Sequence, residues 1–199
     1  MCPRLVAYRL GNRADYTGWH NAPVASFGDS GAALLVVGLA PGLKGANRTG
    51  RPFTGDVAGD LLYPTLLRFG LARGEFMAEA DDGLSLINCR ITNAVRCAPP
   101  QNKVVAAETK ACGAFLAAEI AAMTNLKVLL ALGGVAHGAI LSVLGEKKSA
   151  YKFSHGARHT LQSGIILADS YHCSRYNTNT RRLTGDMFDN VFHNVVEIL

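Results

Sequence analysis

Residues 34–56 read LLVVGLAPGLKGANRTGRPFTGD, and this stretch restricts the fold more than any other. Leu34 to Val37 is an apolar run of strand length. It breaks into a loop carrying Gly38, Pro41, Gly42, Gly45, Gly50, Pro52 and Gly55. An apolar run ending in glycines is how an open α/β sheet offers a binding site at the carboxyl end of a strand. Glycines let the backbone approach a ligand, and their bare N–H groups can receive an anion. The order Lys44-Gly45 is wrong for a phosphate-cradling GxxxxGK loop, and GxGxxG is absent. What remains is a basic loop (Lys44, Arg48, Arg51) with one aromatic residue, Phe53, and one acid, Asp56.

Similar units follow along the chain. Val57 to Gly70 has helical periodicity, with Leu61, Leu62, Thr65, Leu66 and Phe69 on one face and Pro64 placed to kink or break it. Leu86 to Val95 reads as a second buried strand running into Arg96-Cys97-Ala98-Pro99-Pro100. Ala106 to Met123 is an alanine-rich helix, Lys127 to Leu132 a third strand, and Gly133-Gly134 opens a helix through Leu144. Residues 145–163 read as a basic loop. Gly164 to Asp169 is a fourth strand, and Thr184 caps a last helix with Phe188, Val191, Phe192, Val195 and Leu199 inward. Residues 1–30 read as an irregular segment laid over the sheet. This alternation predicts one domain over 1–199, a three-layer α/β/α sandwich around a central four-stranded parallel sheet.

The totals fit that picture. A 199-residue chain that is 49% hydrophobic and 18% charged can bury a full core. Its net charge of +5 suits a polyanionic partner. No apolar run reaches membrane-spanning length, and Met1-Cys2-Pro3-Arg4 lacks the order of a secretion signal. Five cysteines in such a chain point to reduced thiols or a metal site, and to a cytoplasmic protein.

Polar residues cluster after three strands: Phe53 and Asp56, Asn93, and His172 with Asn177. Three strand ends at one edge make one pocket. His172 opens the polar loop SYHCSRYNTNTRRLT, whose Arg175, Arg181 and Arg182 suit phosphate contacts or a side-chain wedge into DNA. Asn93 offers a donor and an acceptor. Asp56 is either a group that positions water or the N-cap of the following helix. Gly28-Asp29-Ser30-Gly31 matches the nucleophile motif of trypsin-like proteases, but those are all-β proteins and this chain reads α/β.

The segments GLAPGLKGANRTGRPFTGD (38–56), ITNAVRCAPP (91–100), VLLALG (128–133) and SYHCSRYNTNTRRLT (170–184), with the CPRLVAYR start and the FGDSGAALLVVG lead-in, carry a resemblance. The chain resembles the uracil-DNA glycosylase superfamily over nearly its whole length. It is most similar to the iron–sulfur branch, in the broad-specificity type called family 5 or type b. The resemblance implies hydrolysis of the N-glycosidic bond of a damaged base flipped out of DNA, by a monofunctional enzyme acting as a monomer on uracil-containing DNA. Phe53 would lie on the face of the base, Asn93 would bond its Watson–Crick edge, and Gly38, Ala40 and Gly42 would line its pocket. His172 would donate a hydrogen bond to the departing base. Lys44, Arg48, Arg175, Tyr176, Asn177 and Arg181 would contact the DNA.

Departures from the family pattern are specific. Where other branches carry a water-activating acid or amide, this chain has Leu43, as the type-b group does; Asp56, a backbone carbonyl or a DNA phosphate could take that role. His172-Cys173-Ser174 replaces the usual His-Pro-Ser, leaving Cys173 as a candidate oxidisable thiol. The family's [4Fe–4S] cluster has four cysteine ligands. Cys2, Cys97 and Cys112 match three, and the first would precede residue 1, which leaves open a longer start, an outside ligand or free thiols. Two rival readings are a non-catalytic binder of damaged DNA and a hydrolase of small nucleosides.

Overall fold

The computed structural model describes residues 2–199; Met1 lies outside them. Five strands form the central sheet in the order β4 (Cys89–Asn93), β1 (Leu34–Gly38), β5 (Val128–Leu132), β7 (Ile166–Ser170) and β6 (Arg158–Thr160). The first four are mutually parallel, with Gly38 opposite Asn93 and Leu132 opposite Ser170. The fifth, β6, adds antiparallel to β7 at the edge. The expected four-stranded parallel core is present, and the expectation that residues 145–163 are loop-like is corrected by β6. Three residues of strand carry too little periodicity to be recognised, and their pairing comes entirely from β7.

β1 is buried at every position, and its alternate residues serve opposite cores. Leu34 and Val36 pack with α3 (Val57–Arg68) and α7 (Gly185–Val196); Leu35 and Val37 pack with α4 (Ala106–Ala122) and α5 (Gly134–Val143). A strand covered on both faces reads as a continuous apolar run, which is why LLVV gives no period-two signal. α7 buries Phe188, Val191, Phe192 and Val195 at helical spacing, and the Thr184 hydroxyl accepts from the Met187 N–H to start it. Each such buried side chain contributes about 1.5–3 kcal/mol.

Three further expectations change. The first thirty residues are not irregular throughout: α1 spans Pro3–Asp15. Pro3 suits the first helical turn, where its missing N–H costs nothing. Its buried face is only Leu5 and Asn12, so amphipathic periodicity was too weak to find. Arg4 pins it to α4 through two bonds to Glu108, at 2.7 and 2.8 Å. The following segment does lie on the sheet, where Phe27 and Ile91 exchange backbone bonds. α3 is one helix through Pro64, so of the expected kink or break the break does not occur. The loop after β7 holds a short helix, α6 (Arg175–Asn179), opened by Ser174. A two-stranded ribbon, β2 (Ala72–Arg73) with β3 (Ser85–Leu86), and a single turn of helix, α2 (Ala46–Thr49), complete the elements.

Candidate active site

β1 leads to β4 on one side of the sheet, and β5 leads to β7 on the other. The strand order therefore reverses between β1 and β5, where an open α/β sheet forms a crevice beyond its carboxyl ends. A cleft of about 620 Å³ opens there. Its wall takes Leu39 to Gly42 from the loop after β1, Pro99 and Asn102 from that after β4, Gly133 to Val135 after β5, and His172, Ser174, Arg175 and Tyr176 after β7. All four parallel strands thus feed one site. A larger cavity, about 900 Å³, lies between α4 and α5, but small apolar side chains dominate its lining.

Gly38, Phe53 and Asn93, expected in the pocket, are buried at the end of β1 and β4 and are not part of the cleft wall. A Cβ built on Gly38 would meet the Asn93 Oδ1 at 2.5 Å and the Phe53 Cε2 at 2.8 Å, so only glycine lets both groups converge on the end of β1. Phe53 is held at φ +54, a conformation that costs a non-glycine residue of order 1–3 kcal/mol. The restraint is Arg51. This arginine, counted by sequence among basic loop residues, is buried and bonds both oxygens of Asp82 at 2.7 Å. Its guanidinium sits 5.1 Å from the Tyr63 ring centre and 5.2 Å from that of Phe27. The Tyr63 hydroxyl donates to the Pro52 carbonyl at 2.6 Å. Residues 51–54 are therefore clamped, and Phe53 with them.

The Phe53 ring lies 5.9 Å from the His172 ring, with 27° between their planes. Burial pulls the His172 pKa down to about 4, so the ring is neutral near pH 7. Its Nδ1 is buried without a protein partner, as is Asn93 Oδ1. Buried polar atoms are rarely left unpaired, and of the two only His172 belongs to a residue of the cleft wall. Asn177 fixes the histidine from behind: its Nδ2 donates to the His172 carbonyl at 2.8 Å. That amide, expected to meet DNA, is turned inward.

Asp56 divides its carboxylate. Oδ1 accepts from the Ala58 and Gly59 N–H groups at 3.1 and 3.4 Å, capping α3. Oδ2 lies against the bare Cα of Gly42 and of Gly45; a Cβ on Gly42 would stand 2.9 Å from it. Oδ1 thus bears out the capping reading of Asp56, and Oδ2 is left beside the glycine loop. Burial raises its pKa, against the lowering effect of the capping bonds.

The outward groups separate. Lys44, Arg175 and Arg181 are exposed, Tyr176 is 70% exposed, and Arg175 and Tyr176 stand on the cleft wall. Arg48 pairs with Glu79 at 3.2 Å on the surface. Ala40 lines the cleft. Cys173 is fully buried and burial raises its thiol pKa, which removes it as an oxidisable thiolate. Sequence reading missed Asn102, in left-handed conformation, and the Gly133 turn, where a Cβ would stand 3.5 Å from that of His172. The Gly133-Gly134 pair after an apolar run was the available signal for the latter.

Cys2, Cys97 and Cys112 gather beside Leu5 and Val95, on the α1–α4 side of the molecule. Cys2 is the N-cap of α1, and both it and Cys112 are free thiols. Burial raises the Cys2 and Cys97 pKa values, with the nearby Cys112 thiol adding to both. Cys89 and Cys173 belong to the opposite core and cannot join them. The three matching cysteines thus share one small cluster of the fold.

Comparison with known proteins agrees with this geometry. A family model described as the uracil DNA glycosylase superfamily matches residues 25–195. The chain is 46% identical over 193 residues to the type-5 uracil-DNA glycosylase of Thermus thermophilus, covering 94% of this chain and 88% of the relative. It is 41% identical to that of Mycobacterium leprae, covering 99% and 90%, and 40% identical to that of Pyrobaculum aerophilum, covering 92% and 81%. A type-4 uracil-DNA glycosylase of Pyrobaculum aerophilum is more distant, 31% identical over 121 residues. With its sheet, its cleft and these matches, the chain belongs to the uracil DNA glycosylase superfamily.

Proposed function

We propose that this protein is a monofunctional DNA repair glycosylase that hydrolyses the N-glycosidic bond of uracil in DNA and leaves an abasic site. The observation that carries the reading is His172 on the cleft wall, a neutral imidazole with an unpartnered buried nitrogen and its ring 5.9 Å from that of Phe53. Bond cleavage puts negative charge on the leaving uracil and positive character on the sugar. A neutral N–H aimed at the base oxygen stabilises that charge without a proton first being taken up, and such preorganised donors are often the largest catalytic term. Asn93 Oδ1 would accept from the uracil N3–H, which cytosine lacks. Phe53 would pack on the base face. Asp56 Oδ2 would hold the attacking water, its other oxygen being fixed by α3.

Arg175, Tyr176, Lys44 and Arg181 would grip the backbone around the extruded nucleotide, and Arg48 would exchange Glu79 for a phosphate. Cys2, Cys97 and Cys112 would hold an iron–sulfur cluster through three thiolates. Bound there, the cluster would cross-link α1 to α4 and to the loop after β4. Among the described residues no helix is long and apolar enough to cross a membrane. We place the protein in the cytoplasm as a monomer, leaving one face free for the duplex.

The test is a duplex holding one uracil, incubated with the protein and treated with alkali, with free uracil assayed alongside. Cleavage at the uracil with release of the free base supports the reading. Binding without base release would make the protein a damage binder. Hydrolysis of free deoxyuridine but not of DNA would make it a nucleoside hydrolase.

A further inference from the structure

We propose that His137, His159 and Asp169 form a second metal site, selective for zinc or a similar divalent transition ion, separate from both the cleft and the cysteine cluster. The three residues come from α5, β6 and β7, and one ligand atom from each lies within 4.8 Å of the others. Asp169 is fully buried on the α5 face of the sheet. His137 Nδ1 stands 2.8 Å from its Oδ1, and His159 Nε2 stands 3.6 Å from its Oδ2.

Each feature fits a ligand set better than a closed hydrogen-bond network. Asp169 Oδ2 is buried without a hydrogen-bond partner, a costly state for a carboxylate oxygen. At 3.6 Å the His159 nitrogen is too far to satisfy it, yet that distance is ordinary for two ligands of one ion. Bonds of about 2.0–2.1 Å at tetrahedral angles put ligand atoms roughly 3.3 Å apart. The observed 2.8 and 3.6 Å bracket that value, and with one atom per residue all three lie within 4.8 Å, so seating the ion needs closure by up to about 1.5 Å. His137 also has the outer partner that metal-bound histidines have: its Nε2 lies 2.9 Å from the Tyr151 carbonyl. With that nitrogen donating, Nδ1 and Oδ1 face each other and need a cation between them. A proton is the alternative; the ion would displace it, so binding releases a proton. His159 Nε2 donates to the Lys152 carbonyl at 3.2 Å, a bond and a proton it would give up to ligate the ion. Two imidazoles and a carboxylate suit zinc over magnesium or calcium.

The ion would fasten the edge strand β6 and the start of α5 to β7, three residues before His172. This cross-link is structural and takes no part in the chemistry of the cleft.

The test uses the full chain carrying whatever its cysteines hold, titrated with Co²⁺ and then Zn²⁺. The expected result is one equivalent of bound cobalt with the visible bands of a four-coordinate ion and without a thiolate-to-cobalt charge-transfer band, displaced by zinc. His159→Ala, on an edge strand where the side chain is 19% exposed, should weaken that binding by more than about tenfold, because losing a direct ligand costs at least as much as losing an outer partner. X-ray absorption of the zinc-loaded parent protein should show only nitrogen and oxygen neighbours, which keeps the test decisive if the variant is unstable. No uptake beyond the thiol site, sulfur neighbours only, or undiminished binding in a folded His159→Ala protein would overturn the proposal and leave a proton between His137 and Asp169.

Discussion

Replacing Gly38 by alanine is the smallest perturbation that should disable the cleft. Gly38 is not among the positive-φ glycines, so alanine there brings no backbone strain and the effect reads space alone. The added Cβ would stand 2.5 Å from Asn93 Oδ1 and 2.8 Å from Phe53 Cε2, and closer still to Phe53 Cζ. Ordinary contact begins near 3.5 Å, so the two groups together must retreat by about 1 Å. Phe53 cannot easily do so, because Arg51, Asp82 and Tyr63 clamp its loop. A misplacement of about 1 Å at a reacting centre can cost 10²-fold, or about 2.7 kcal/mol of transition-state stabilisation. Overpacking adds about 1–3 kcal/mol of lost stability. Single-turnover uracil release and thermal melting should therefore both respond, with the rate falling about a hundredfold while the protein stays folded. A Gly38→Ala protein that released uracil at the parent rate would show that neither Asn93 nor Phe53 needs its present position.

The remaining predictions address other parts of the site. Gly45→Ala would drive its Cβ into Asp56, whose Cγ lies 2.8 Å from that position; uracil release should fall at least tenfold with DNA affinity retained, as measured by filter binding. Asn177→Ala frees the His172 carbonyl and should lower kcat about tenfold with little change in KM, a split that steady-state kinetics reads. The His172 pKa is about 4 when folded against an ordinary 6.5, so between those values the unfolded chain takes up a proton that the folded chain refuses. Stability should fall as pH drops through that window, by up to about 3 kcal/mol from this group, and urea midpoints of His172→Gln should lose that dependence. Arg51→Met strands a buried Asp82 carboxylate that Arg51 holds down at about 2, and should cost roughly 3–5 kcal/mol in urea unfolding.

The four parallel strands were readable because each is a short apolar run ending in glycine or a polar cluster, a pattern that a doubly covered sheet imposes. Thr184 and Asp56 were readable as caps because their side chains act locally. α1 and β6 were not: the first buries two residues, and the second is held by its neighbour alone. The site was legible as a set of strand ends, since topology brings such ends together whatever the loops do. What each loop residue does was less legible. Arg51 and Arg48 have the same charge in the sequence, yet one is caged by aromatic rings and the other meets solvent beside Glu79. Asn177 reads like any polar loop residue until its amide is seen behind His172. These distinctions depend on partners 31 residues away or on a turn of α6, neither of which has a local signature.

The account turns on His172 as a neutral donor to the departing base. Its most direct test is the single-turnover rate of uracil release from duplex DNA by the parent and by His172→Ala, with affinity for the uncleaved duplex measured in parallel. The rate should fall by about 10²–10³ with affinity little changed, the loss found when one preorganised donor is removed. An unchanged rate in the variant would contradict the claim and move the catalytic role elsewhere in the cleft.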